Sequence, residues 1–412
     1  MRSYQSIHPG DRRLRKLPYP YRGAIAVSND IEYFSFSEFD ALMKYLNSTS
    51  TGPLGQGLGL EITSSMFFYS VNPHTFAYFN GYDPDSPVSS YGSRIAEYLQ
   101  AGWIDTNHSF GDFDAAHPFR RAHAERAYAA LAELRVTLPV YTDHGGEHNL
   151  QNIGPGSPRY HHGDVRGSPY YHADLMKRHG VRYVWSDSDT ILITDPDAIA
   201  GTTPLHSVRR RFGRWRRNPQ CRLIIPYRLQ DSSEFFGFIR LRATGINAPN
   251  LSSLGFQLKQ IDWPAFYAHH GVVIIYQHLG VLHRCKGQCR PISIEAVRQR
   301  PEVYLAPFRF LQRESAEGRL WVAGVARLLD YLNCVENVRL RFVDVDGTTN
   351  IELLTPAHNP MLSLQGLTIY IDPSRPVRVR HQGRDMPLVF NGPDETRQYS
   401  VSIPIQPLPQ IW

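Results

Sequence analysis

The stretch AIAVSND, residues 24–30, decides how the chain is read. Four apolar residues run directly into serine, asparagine and aspartate. A strand buried on both faces of a parallel sheet is apolar along its length, and in a parallel barrel the chemistry gathers where the strands end. The same pattern recurs down the chain. GLGLE at 57–61 ends in a carboxylate, WIDTNH at 103–108 in an imidazole, and LPVYTDH at 138–144 in both. RYVWSD at 182–187, LIIPYR at 223–228 and GVVIIYQH at 271–278 complete seven such runs. Helical patterns fall between them at 37–46, 93–100, 118–134, 171–179, 263–269 and 318–332, with Ser37 as the expected N-cap of the first. This alternation predicts an α/β fold, a parallel barrel over residues 23–334.

After residue 335 the texture changes to short alternating runs broken by Asp-Gly, Asn-Pro, Asp-Pro and Asn-Gly turns. These predict a small all-β, sandwich-like accessory domain over 335–412. Residues 1–22 read as a basic N-terminal extension carrying Arg12, Arg13, Arg15 and Lys16.

Composition is that of an ordinary globular chain, 42% hydrophobic and 20% charged over 412 residues, enough to bury a large core. The net charge of +6 sits largely in the N-terminal cluster and in a run from Arg209 to Arg217. No nucleic-acid reading module accompanies that run, so a nucleic-acid partner is not expected. A solvated loop is its plain reading, and a contact for an acidic glycan or phosphate the sharper one. Cys285 and Cys289 have no second ligand pair at zinc-site spacing. No apolar run approaches the roughly 18 residues of a membrane span. Without a readable secretory signal the chain is expected to be cytoplasmic, or secreted and trimmed.

The strand ends supply the candidate chemistry. Asp30, His108 and Asp112 are metal-ligand candidates, the last two spaced i, i+4 as on one side of a helical turn. The plainer alternative makes Asp112 a turn residue and His108 a satisfied hydrogen-bonding histidine. Glu61 and Asp143 are candidate general bases, tunable by burial; a buried salt bridge explains Glu61 equally well. His144, Glu147 and His148 flank a Gly-Gly pair that permits close backbone approach to a ligand. With Trp185 and Asp187 they are read as substrate-positioning residues.

Asn29-Asp30, the segment His108-Ser109-Phe110-Gly111-Asp112, and the apolar run into His278 together resemble the polysaccharide deacetylases (NodB-like, carbohydrate esterase family 4). The resemblance covers roughly residues 23 to 285 and rests on motif order. It implies a distorted (β/α)7 barrel and a divalent metal, usually zinc. Asp30 and His108 would be ligands with Asp112 as the third, and His278 the general acid. Two departures stand out. The family's first aspartate is the general base, and Asn29 occupies its position; the family's second metal histidine is replaced by Asp112. The expected function is metal-dependent deacylation of a glycan. The alternatives are a glycoside hydrolase using carboxylates among Glu61, Asp143, Asp187 and Asp189, and a glycan-binding barrel without catalysis.

Overall fold

The computed structural model describes residues 5–6, 13–154, 161–190, 223–242, 248–285, 288–355 and 363–411, with the backbone alone for 5–6, 186–190 and 284–285. Seven parallel strands close a barrel in chain order. They are β1 (Gly23–Asn29), β2 (Ser64–Met66), β3 (Ile104–His108), β4 (Val140–Thr142), β5 (Tyr183–Thr190), β6 (Glu234–Leu241) and β7 (Val272–Gln277). Each pairs with the next, and β7 returns to β1 in register Val272 to Ala24. Helices α1 (Phe36–Asn47), α2 (Gly92–Gln100), α3 (Arg121–Glu133), α4 (Ala173–Arg178) and α5 (Trp263–Ala268) connect consecutive strands.

Side chains alternate across the wall as the strand period demands. Ile25, Val27, Val273 and Ile275 belong to the outer core with the helices. Ala24, Ala26, Ile274, Phe238, Tyr183 and Val140 fill the inside. The same inner cluster includes Leu328, Leu329 and Tyr331 of α7 (Val325–Asn337), following α6 (Ala306–Ala316). Asp330 of α7 receives two hydrogen bonds from Arg182, just before β5, so this helix closes the amino end of the barrel.

Four assignments from the sequence need correction. Residues 57–61 form no strand. Their amides donate to the last carbonyls of α1 and the turn beyond it, Leu58 to Tyr45, Gly59 to Ser48 and Leu60 to Leu46. Apolar alternation there caps a helix, and a Cβ on Gly57 would lie 2.3 Å from the Ser48 carbonyl oxygen. The expected strand at 223–228 exists as Ile224–Arg228, but it runs antiparallel to β6 as the first arm of a hairpin. The more aromatic second arm is the barrel strand. The region 318–332 opens with a strand, β8 (Leu320–Val322), that pairs in parallel with the lower half of β1. Strand β2 meets β1 only at Asn29, so β8 satisfies backbone groups that β2 leaves open. The first helix is capped by Ser35, two residues before the expected Ser37.

Beyond α7 the strands among the described residues lie in two small sheets, in line with the all-β texture expected there. Arg339–Val345, Thr348–Leu354, Val377–His381 and Arg384–Asp385 form one with Gln5–Ser6, and Thr368–Ile371, Tyr399–Ser402 and Val389–Asn391 the other. Arg15 of the N-terminal stretch is buried between these sheets and the barrel. Its guanidinium bonds Asp394 at 3.1 Å, Glu395 at 2.9 Å and the carbonyls of Leu17 and Pro18. No helix among the described residues is long and apolar enough to cross a membrane.

Candidate functional site

The carboxyl ends of β1, β3, β4, β6 and β7 converge on one buried polar cluster. Glu32 stands at its centre, two residues beyond Asp30 on the segment that continues β1. Its Oε1 lies 3.2 Å from His144 Nε2 and 3.4 Å from His108 Nε2, and its Oε2 lies 3.6 Å from His278 Nε2. Two groups bring their ligand atoms within 4.8 Å of one another: Glu32 with His108 and His144, and Asp30 with Glu32 and His278. Glu32 Oε2 is buried and has no hydrogen-bond partner among the described residues. A buried carboxylate oxygen in that state calls for a donor or a cation.

Each imidazole is aimed by contacts on its far side. Thr142 faces His108 Nδ1 with its carbonyl oxygen at 3.3 Å and its hydroxyl at 2.9 Å. The carbonyl can only accept while the hydroxyl can also donate, so these contacts fix the plane of the ring and turn Nε2 toward Glu32. His278 Nδ1 donates to the Pro249 carbonyl at 2.7 Å, which likewise leaves Nε2 facing the cluster. His144 Nδ1 stands between Asp112 Oδ1 at 3.5 Å and the Asn149 amide nitrogen at 2.8 Å. Phe67 sets both neighbouring rings, stacking on His108 at 5.0 Å and meeting His144 edge-on at 5.3 Å.

Asp30 has a separate anchor. Arg240 Nη1 bonds both of its oxygens, at 2.9 and 3.0 Å, and both side chains are buried. The guanidinium lies between aromatic faces, 4.2 Å from the Trp185 ring and 3.8 Å from that of Tyr276. This cation–π seat on three barrel strands fixes Arg240, and Arg240 in turn fixes Asp30.

The electrostatics follow from this crowding. Burial alone would raise Glu32, but the charges of His278 and His108 and hydrogen bonds from His108 and His144 outweigh it and hold it well below the carboxylate range. Burial would lower His144; the bond and charge of Glu32, with Asp112 and Asp30 behind it, push it up to about 9 instead. His278 is raised against its burial by Glu32 and Asp30. Burial raises Asp112, with His144 opposing.

The structure thus brings Asp30, His108, Asp112, His144 and His278 together. The route to Asp112 differs from the helical turn expected. Ser109 and Phe110 are both left-handed (φ 52° and 61°), and Gly111–Asp112 then pairs as a short strand with Tyr69–Ser70. A Cβ on Gly111 would lie 2.2 Å from the Tyr69 carbonyl oxygen, so the close approach needs glycine. Asp112 consequently meets His144 directly.

Other named residues lie outside the cluster. Glu61 accepts from the Gly324 amide and pairs with Arg327 at the start of α7, the salt-bridge alternative. Asp143 is buried and accepts the Ile153 amide, shaping the loop after β4. Glu147 and His148 are exposed on that loop, 4.0 Å apart. Trp185 serves as a seat for Arg240. Asp187 lies on β5, but its side chain is outside the described residues, as is the arginine run at 209–217.

Glu32 and Arg240 were missed. Each had a signal: Glu32 follows Asp30 at the strand period of two, and Arg240 is a lone charge inside the apolar run FFGFIRL. Comparison with protein-family models, with characterised proteins and with solved structures returned no match.

Proposed function

We propose that the chain is a metal-dependent hydrolase that removes an acyl group, N-acetyl first among them, from a glycan, on a NodB-like (β/α)7 barrel. The observation that carries this reading is Glu32, whose buried oxygen lacks a hydrogen-bond partner among the described residues and sits amid three inward-facing imidazoles at the carboxyl end of the barrel. Two histidines and a carboxylate are a donor set suited to zinc and similar ions. Glu32, His108 and His144 would hold the ion, which when bound supplies Lewis acidity toward the acyl carbonyl and a more acidic water.

The chain's own groups have distinct tasks. Asp30, oriented by Arg240, takes the proton from the attacking water. His278, anchored through Nδ1 and raised in pKa, gives a proton from Nε2 to the leaving nitrogen as the acyl C–N bond breaks. Asp112 orients His144 from behind. The acid pair is therefore Asp30 and Glu32 in place of the family's adjacent aspartates, and the base is retained despite Asn29.

The glycosidase reading has less support. Glu61 and Asp143 hold backbone amides elsewhere, and the ligand oxygens of Asp30 and Glu32 lie within 4.8 Å on one strand end. Carboxyl groups that flank a glycosidic bond stand about 5 Å or more apart on opposite sides of the sugar.

The test is metal content of the purified protein beside Glu32→Ala and His108→Ala, with acetate release from an N-acetylated oligosaccharide. About one equivalent is expected in the wild type and loss in both variants. Asp30→Asn and His278→Ala should keep the metal and lose acetate release. A folded wild type that takes up no divalent metal overturns the proposal.

A further inference from the structure

A cleft of about 480 Å³ opens beside the barrel mouth, and its walls continue the two segments that carry Glu32 and Asp112. On one side the chain runs from Glu32 through Tyr33 to Ser35 and Phe36. The Tyr33 amide donates to the Thr75 hydroxyl at 2.9 Å, and the Phe76 amide donates to the Phe34 carbonyl at 3.0 Å. On the other side Ser70 pairs with Asp112, and the Val71 amide donates to the Asp112 carbonyl at 3.3 Å. The cleft is thus fixed to the polar cluster by backbone on both sides.

Its lining contrasts with the rest of the chain. One residue in five of this protein is charged, yet the cleft contains no Asp, Glu, Lys or Arg. Its polar side chains are hydroxyls and amides, among them Ser35, Asn72, Asn80 and Ser90, with one imidazole, His74. Tyr91, 47% exposed, lies flat on Phe36 with rings 4.8 Å apart and 17° from parallel, which leaves its other face toward solvent. Tyr82, 40% exposed, borders the same space. An uncharged surface of hydroxyls and amides with a braced aromatic face suits a ligand with hydroxyl edges and flat C–H faces. It presents no lysine or arginine to an anion.

We propose that this cleft binds uncharged sugar units flanking the reacting residue, with Tyr91 as the stacking platform. The substrate is then a neutral glycan, acetylated or plain, rather than an acidic one. The inference rests on the hydrolase reading for its substrate class and fails separately from it.

The experiment is calorimetric titration of the full chain with neutral N-acetylglucosamine oligomers and with oligogalacturonate, on wild type, Tyr91→Ala, Tyr91→Phe and His108→Ala. The neutral oligomer should bind wild type and Tyr91→Phe alike, and Tyr91→Ala about tenfold more weakly. His108→Ala should lose metal and keep the sugar. Preference for the acidic oligomer, no binding of the neutral one, or equal binding by Tyr91→Ala overturns the cleft assignment. Metal content and acetate release on the same preparations report on the hydrolase reading independently.

Discussion

Replacing Arg240 with methionine tests the site at its most buried charge. The guanidinium bonds both oxygens of Asp30, and the two side chains are 0% and 3% exposed. Removing one partner of a buried pair leaves the other charge uncompensated, a loss of about 3–5 kcal/mol. The seat between Trp185 and Tyr276 adds up to about 2 kcal/mol for a desolvated cation, part of which the methionine side chain recovers through apolar contact. A net destabilisation of about 4 kcal/mol is expected. Urea unfolding followed by circular dichroism reads it, and fluorescence reports locally because Trp185 lies beside the substituted group. The double variant Asp30→Asn/Arg240→Met removes both charges and should recover at least about 2 kcal/mol relative to Arg240→Met alone. A single variant within about 1 kcal/mol of wild type, or a double variant no better than the single, would refute the assignment of Arg240 as the anchor of Asp30.

Three further outcomes follow from the same geometry. With His144 raised to about 9, metal must displace a proton at neutral pH. Affinity for zinc should therefore climb as pH rises toward 9 and level off above it, with about one proton released per ion in titrations across buffers of different ionisation enthalpy; a pH-independent affinity counts against His144 as a ligand. Arg15→Ala removes the buried partner of Asp394 and Glu395 between barrel and β sheets, and should lower unfolding stability by about 3–5 kcal/mol, against little change if residues 1–22 act as a free extension. Asn29→Asp, the substitution that would restore the family's adjacent aspartates, should lower stability by about 3 kcal/mol without raising acetate release, because it removes a buried donor and adds a third carboxylate; unchanged stability with higher turnover would contradict this.

The barrel was legible because its wall is a local signal. Runs such as 24–30 and 271–278 are apolar to their last two or three residues, and the register that closes the barrel joins these two along six residue pairs. Strand β2 was not legible, since only three residues pair, and the leucines at 58 and 60 imitate a strand while capping α1. The choice between two arms of one hairpin at 224–241 is likewise tertiary, because either arm satisfies the strand period. In the site, the strand-end residues Asp30, His108, His144 and His278 were visible one by one. Their grouping depended on two features outside any strand: the left-handed pair Ser109–Phe110 that redirects the chain after His108, and the continuation past Asp30 that carries Glu32 inward. Neither leaves a periodic signal.

Asn29 illustrates why position within a motif is weaker ground than position within a wall. Its amide nitrogen donates to the Ser64 hydroxyl at 2.8 Å, and its carbonyl oxygen accepts the Leu279 amide at 2.7 Å. Ser64 is the one β2 residue paired with β1, and Leu279 follows the end of β7, so this side chain joins β1 to both neighbours at the narrowest seam of the barrel. The task needs a donor and an acceptor at once, which an amide provides and a carboxylate does not. With that position committed to holding the wall, an acid serving the cavity has to come from the next inward-facing residues. The strand period makes those Asp30 and, two further, Glu32. The proposed acid pair, which the resemblance places on adjacent residues, is separated by Ile31, whose buried side chain packs into the outer core while its neighbours face the histidines.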